Sequence, residues 1–225
     1  MTLAALKQIN PDYQILSIND PRFAQFGLVY SQYDLTEIEQ WMGQNVRVDP
    51  QDNQYVPSNP ALESLAMIQQ IGRDVFAGMP IEAGECTGQT SDFSAIEYHQ
   101  GSEVNVILTD VVMVLGKRAS LEKTGQFNPR QEGLLFYIPA GTVVEFYSDT
   151  LHYSPIKVWS TGFKMIVMLL AGTNQPFEQS LNTTNQRIVK QNKFQLVHAS
   201  RTDKIKQGIQ VGVVGELIRL NPLKI

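Results

Sequence analysis

Two short segments concentrate residue types that can hold a metal ion. The first is Glu97-Tyr98-His99-Gln100-Gly101-Ser102-Glu103, and the second runs from Gly141 through Glu145, Tyr147 and Asp149 to His152. Side chains alternate across a strand with period two, so Glu97 and His99 project from one face and can share an ion. The tight turn at Gly101-Ser102 can send the next strand back beside the first and bring the Glu103 carboxylate to the same point. Carboxylate oxygen and imidazole nitrogen together suit hard or borderline divalent ions. On an arbitrary strand the same three residues are ordinarily solvated, and spacing alone leaves both readings open.

The elements that must position these residues divide into two halves whose hydrophobic periods change near Gly84. In the first half, Asp34-Leu35-Thr36-Glu37 reads as a capping box, with Leu35, Ile38 and Trp41 on one helix face and Gly43 as the stop. A second helix is predicted from Asn59-Pro60 to Gly78, with Leu62, Leu65, Ile68, Ile71 and Val75 at helical spacing. The turn-rich stretch from Asp49 to Pro60 reads as an extended surface loop.

From Ala95 onward, short β-branched and aromatic runs alternate with turn residues: AIEYH, VNVIL, DVVMVL, LLFYI, TVVEFY, IKVW and FKMIVMLL. That succession predicts an antiparallel barrel or sandwich. After Gly172 the pattern loosens into a polar stretch, Asn174 to Asn192, and Phe194 to His198 reads as a returning edge strand. The expected organisation is one domain. Residues 1–83 form a helical and loop extension packed on the β structure, and residues 84–225 form the β domain with a C-terminal tail.

Composition narrows the function classes. A chain of 225 residues with 43% hydrophobic and 18% charged residues can bury one sizeable core. A net charge of -4 with dispersed Lys and Arg gives no footprint for nucleic acid or anionic membrane. The opening residues hold no signal-peptide core and no run reaches membrane-spanning length, so a cytoplasmic setting is expected. Cys86 is the only cysteine, which excludes an internal disulfide or a thiolate cluster.

The two segments resemble the motifs of the cupin superfamily. Its first motif runs H-x-H, three or four residues, then E, and this chain has Glu97-x-His99-x3-Glu103. Its second runs G, five residues, P-x-G, two residues, H, and this chain keeps Gly141 and His152 while Tyr147 and Asp149 replace the proline and the glycine. Ile156 stands where the superfamily has asparagine. The stretches GMPIEAGECTG, SAIEYHQGSEVNV, PAGTVVEFYSDTLHYSP and VGELIRL are similar to an uncharacterised bacterial cupin-like family across nearly the whole chain. The resemblance implies a mainly β fold, a cupin-type antiparallel β-barrel or jelly roll with a helical N-terminal extension. It also implies one divalent metal ion held by Glu97, His99, Glu103 and His152, with glutamate in place of the first histidine.

Mixed nitrogen and oxygen ligation is tolerated by manganese, iron, zinc, cobalt and nickel alike. Such an ion could hold neighbouring oxygens of a small sugar or a polyhydroxy or keto acid, making proton transfer between adjacent carbons natural. The expected activity is therefore that of an isomerase or epimerase on a small polar substrate, with Glu145 as the nearest candidate base and Tyr147 and Lys164 behind it. An iron-dependent dioxygenase and a non-catalytic sugar-binding module are the alternatives. Tyr98 should face away from the ligands, and His198 and Glu216 are left outside the site. Cys86 reads as an apolar filler or a residue at the barrel mouth. A homodimer paired through exposed sheet edges is expected.

Overall fold

The runs read from Ala95 onward form strands in the computed structural model, which describes residues 1–224. Most of them fall into two facing sheets. One has six antiparallel strands in the order Gly27–Tyr30, Thr142–Phe146, Glu103–Ile107, Phe163–Leu170, Ile81–Gly88 and Gln54–Tyr55. The other has five strands: Ile15–Ser17 lies parallel to Leu134–Ile138, which pairs with Val111–Lys117, and that strand also pairs with Thr150–Leu151 and Ile156–Lys157.

Alternation along each strand sets what the layers bury. Ile107, Val144, Phe146, Met165 and Val167 point from the six-stranded sheet onto Met113, Leu115 and Phe136 of the other. On the reverse face of the six-stranded sheet, Val104, Val106, Val143, Ile166 and Met168 pack against Ile38, Met42, Ile68 and Ile71 of the helices Thr36–Asn45 and Ala66–Phe76. Each fully buried side chain of this size contributes roughly 1.5–3 kcal/mol. The strand Glu103–Ile107 is consequently buried along its whole length.

The fold is mainly β, but the sheets are not closed into a barrel. They face one another as open layers with short strands at their edges. The N-terminal segment is also more than a helical extension. It supplies the edge strands Ile15–Ser17, Gly27–Tyr30 and Gln54–Tyr55, and the expected boundary after residue 83 falls inside the strand Ile81–Gly88. Edge strands of two to four residues are too short to show alternation in a sequence.

The helices differ in detail from their reading. Asp34 accepts from the Thr36 amide at 3.0 Å, but Glu37 caps the other helix by accepting from the Met67 amide at 3.1 Å. The helix continues through Gly43 to Asn45. The segment expected as one helix from Pro60 is two, Pro60–Glu63 and Ala66–Phe76. Lys193–His198, expected at an edge, is the centre of a four-stranded sheet with Ala95–Tyr98, Ile188–Lys190 and Val211–Val213 around it. Among the described residues, no helix is long and apolar enough to cross a membrane.

Candidate metal centre

The two motif segments meet through backbone pairing. Glu97 and His152 face each other across an antiparallel bridge, with Glu97 N–H donating to the His152 carbonyl at 2.7 Å and His152 N–H donating to the Glu97 carbonyl at 3.1 Å. Directly opposed residues present their side chains on one face. The turn after His99 does not fold Glu103 back beside Glu97 in one sheet, as its spacing suggested. It carries the chain from the four-stranded sheet to the six-stranded one, with Gly101 at φ +106°, where an added Cβ would meet Leu170 Cδ1 at 2.8 Å. Glu103 still arrives at the same place.

Glu97, His99 and His152 each offer a ligand atom within 4.8 Å of the others, so the three could hold a metal ion. Glu103 adds a fourth group, with Oε2 at 3.2 Å from His152 Nε2 and 3.5 Å from His99 Nε2. Metal–ligand bonds of about 2.0–2.2 Å set neighbouring donor atoms roughly 3–3.5 Å apart. Glu103 stands at that separation from the two histidines.

Both imidazoles are oriented by backbone carbonyls. His99 Nδ1–H donates to the Asn192 carbonyl at 2.8 Å, and His152 Nδ1–H donates to the Thr150 carbonyl at 2.9 Å. These bonds aim Nε2 of each ring inward, the arrangement by which an outer partner fixes a metal-binding histidine. His99 Nε2 is buried and, among the described residues, has no hydrogen-bond partner, with Glu103 Oε2 3.5 Å away. An orphaned imidazole lone pair beside carboxylates fits a cation. Glu103 is held in turn by Asn105, whose Nδ2 donates to Oε1 at 2.9 Å.

The charges are mutually dependent. Burial pushes the Glu103 carboxyl up, but the two histidines outweigh it and hold the group well below the carboxylate range. Burial would lower the His152 imidazole, yet Glu103 and then Glu97 raise it to about 9. For Glu97, burial is offset by Lys193 and the histidines, leaving its carboxyl below its ordinary value.

Sequence reasoning missed Lys193. Its Nζ lies 2.6 Å from Glu97 Oε2, which also accepts from Gln195 Nε2 at 3.2 Å. Gln195 is the direct cross-strand partner of Glu97, so period-two alternation in Lys193-Phe194-Gln195 puts the lysine on the ligand face. The group opens onto a cavity of about 920 Å³ whose walls include Tyr55, Met165, Asn174, Lys190 and Lys193. Cys86 also lines it, with its thiol pushed up to about 12 by burial and by the carboxylates.

The expected catalytic residues lie elsewhere. In the register of the six-stranded sheet, Glu145 is opposite Val104 while Phe146 is opposite Glu103. Glu145 therefore faces the helices and accepts from the Tyr30 hydroxyl at 2.6 Å. Tyr147 follows the end of that strand, and its backbone N–H donates to the Phe26 carbonyl at 2.9 Å. Lys164 donates to the carbonyls of Met42 and Val46 at 3.1 and 2.6 Å, closing the end of the helix Thr36–Asn45. Glu145 and Lys164 are corrected for one reason, the unknown strand register, which put them on the reverse face. His198 sits with Ser200 and Gly215, at 2.9 and 3.1 Å. Tyr98 stacks on Phe194 at 4.7 Å between ring centroids.

Among curated proteins, none matches the chain. Solved structures similar to it include HygX from Streptomyces hygroscopicus with nickel, 2-oxoglutarate and hygromycin B bound, at 12% identity and TM-score 0.45 over 78% of this chain and 96% of that one. A single-substitution variant of oxalate decarboxylase from B. subtilis superposes with TM-score 0.36 at 9% identity, over 88% of this chain and 42% of the other. Salicylate 1,2-dioxygenase from Pseudoaminobacter salicylatoxidans gives 0.33 at 10% identity, over 60% and 29%. The chain thus spans less than half the length of the decarboxylase and dioxygenase chains. The family described as domain of unknown function DUF4867 matches residues 15–218, in keeping with the resemblance to an uncharacterised family, and the chain belongs to it.

Proposed function

We propose that the protein is a metal-dependent enzyme in which Glu97, His99, Glu103 and His152 hold one divalent ion, and that it isomerises or epimerises a small polyhydroxy or keto compound by proton transfer. The observation that carries this reading is the pair of buried imidazoles tied through Nδ1, with His99 Nε2 left unpartnered beside two carboxylates. A bound divalent ion supplies Lewis acidity toward a substrate carbonyl or hydroxyl. Glu145 faces the opposite side of its sheet, so proton transfer falls to a group of the cavity wall outside the ligand set. Lys193 keeps the Glu97 carboxylate ionised. The transferred proton would come from a carbon acidified by a neighbouring carbonyl. Burial and the nearby carboxylates keep the Tyr55 hydroxyl protonated, leaving it a neutral donor at the cavity wall.

A second reading has its own support. Lys193 and Gln195 both engage Glu97 Oε2, which leaves His99, His152 and Glu103 as a two-histidine, one-carboxylate group of the kind used by iron-dependent oxygenases. Elemental analysis of protein purified without added metal, followed by a screen of small sugars and keto acids, separates the two. Manganese, zinc or cobalt with isomerised product is expected. Iron with oxygen consumption would transfer the assignment to the dioxygenase, and absence of metal from folded protein would end both.

A further inference from the structure

We infer that the hairpin spanning Ile188 to His198 carries a carboxylate-binding subsite built on Lys193 and supported by Lys190, so that the ligand of this site is a 2-hydroxy or 2-oxo acid and not a neutral sugar. The inference rests on the metal-dependent reading above and narrows its substrate class.

Lys190 and Lys193 are direct cross-strand partners, and both line the cavity. Like charges placed opposite each other on antiparallel strands repel, which an anion bound between them would relieve. Lys193 is also nearly buried, at 14% side-chain exposure. Its ammonium has three donors, and among the described residues Glu97 at 2.6 Å is the one ion-pair partner recorded for it. The donors beyond the Glu97 contact can bond a substrate oxygen arriving through the cavity that Lys193 lines.

Charge balance points the same way. Glu97 and Glu103 together offset a divalent ion, and the imidazoles bound through neutral nitrogen add nothing. Lys193 then leaves one positive charge uncompensated inside the site. Arg201, another cation of the wall, does not compete for the ligand, because it already forms two contacts to Asp203 at 3.0 and 2.9 Å. With Lys190 on the same wall, that excess of positive charge favours an anionic ligand over a neutral one. The ammonium stands beside the ligand Glu97, so an acid carrying a hydroxyl or carbonyl next to its carboxylate reaches both the lysine and the ion.

The test is equilibrium binding to the full-length protein loaded with manganese, using D-gluconate against D-glucose, pyruvate against pyruvamide, and inorganic phosphate. The wild type should bind each acid about tenfold or more tightly than its neutral partner. Lys193→Gln should abolish that preference when binding is read per bound metal, Lys193→Arg should keep most of it, and Lys190→Gln should weaken acid binding by about threefold. Equal affinity for acid and neutral partner, tighter binding of phosphate than of either acid, or no acid binding at millimolar concentration would overturn the inference. So would an intact preference in folded Lys193→Gln, and the wild-type comparison stands without any variant. Metal present without acid preference sinks this subsite alone, whereas wild-type protein that takes up no metal sinks the centre with it.

Discussion

Glu103 and Glu145 occupy neighbouring strands of one sheet, a single register position apart, yet one lies among two imidazoles and the other under a tyrosine hydroxyl. The inner face of that sheet closes over a cavity that tapers to Glu97, His99 and His152. The outer face is sealed by helices, and its polar groups serve packing: Glu145 holds Tyr30 and Lys164 closes a helix end. Nothing in residue type separates the two carboxylates. What separates them is the pleat, which sends alternate side chains to opposite sides.

The sharpest way to break this contrast is to remove a polar group from each face. His99→Ala, His152→Ala or Glu103→Gln should reduce metal affinity by about 100-fold or more, while Glu145→Gln should change it by less than about twofold. Competition against a chelator of known affinity measures both, and equal losses would mean that the face does not decide the role.

Acidity offers a second way. The folded value of His152 is raised to about 9 from 6.5, so its contribution to the stability of metal-free protein is complete below about pH 6.5 and disappears as pH climbs through 9. The folded value of Glu103 is well below 4.5, so its contribution is present above about 4.5 and is lost on acidification. Metal-free protein should therefore resist urea best between about pH 4.5 and 6.5. Metal affinity should rise toward pH 9, because the ion displaces the His152 proton. A flat affinity between pH 7 and 9 would contradict this.

On the outer face the expected effects are on stability alone. Lys164→Met removes the donor to two carbonyls at the end of the helix Thr36–Asn45 and should cost about 1–2 kcal/mol in urea unfolding, with metal content unchanged. Glu145→Gln keeps an acceptor for Tyr30 and should cost less than about 1 kcal/mol. A loss of metal in either variant would show that the helical layer transmits to the centre.

The sequence made the long strands legible because their β-branched runs are bounded by turn residues, and it put Glu97 and His99 on one face because that follows from spacing within one strand. His152 was legible only through the resemblance of its segment to a known motif. The barrel and the base Glu145 were not recoverable in the same way. Closure depends on which edges pair, and the orientation of Glu145 depends on register against Glu103–Ile107, a relation between distant segments. Lys193 escaped notice because it stands at the end of a polar stretch, although Lys193-Phe194-Gln195-Leu196 alternates as a strand. Its partner Glu97 is 96 positions earlier in the chain by the same pairing that joins Gln195 to it, and no local pattern records that.

The Glu97–His152 bridge also bears on the order of assembly. Glu97 belongs to the four-stranded sheet, Glu103 to the six-stranded sheet, and His152 directly follows a strand paired to the five-stranded one. An unfolded chain offers only the nearby Glu97, His99 and Glu103. The proposed ligand set comes into being when three sheets have docked, so metal uptake by refolding protein should keep pace with the slowest docking step and not with collision with the ion. Chelation reverses the sequence, and amide exchange should quicken first at Glu97 and His152, the seam where the three sheets meet.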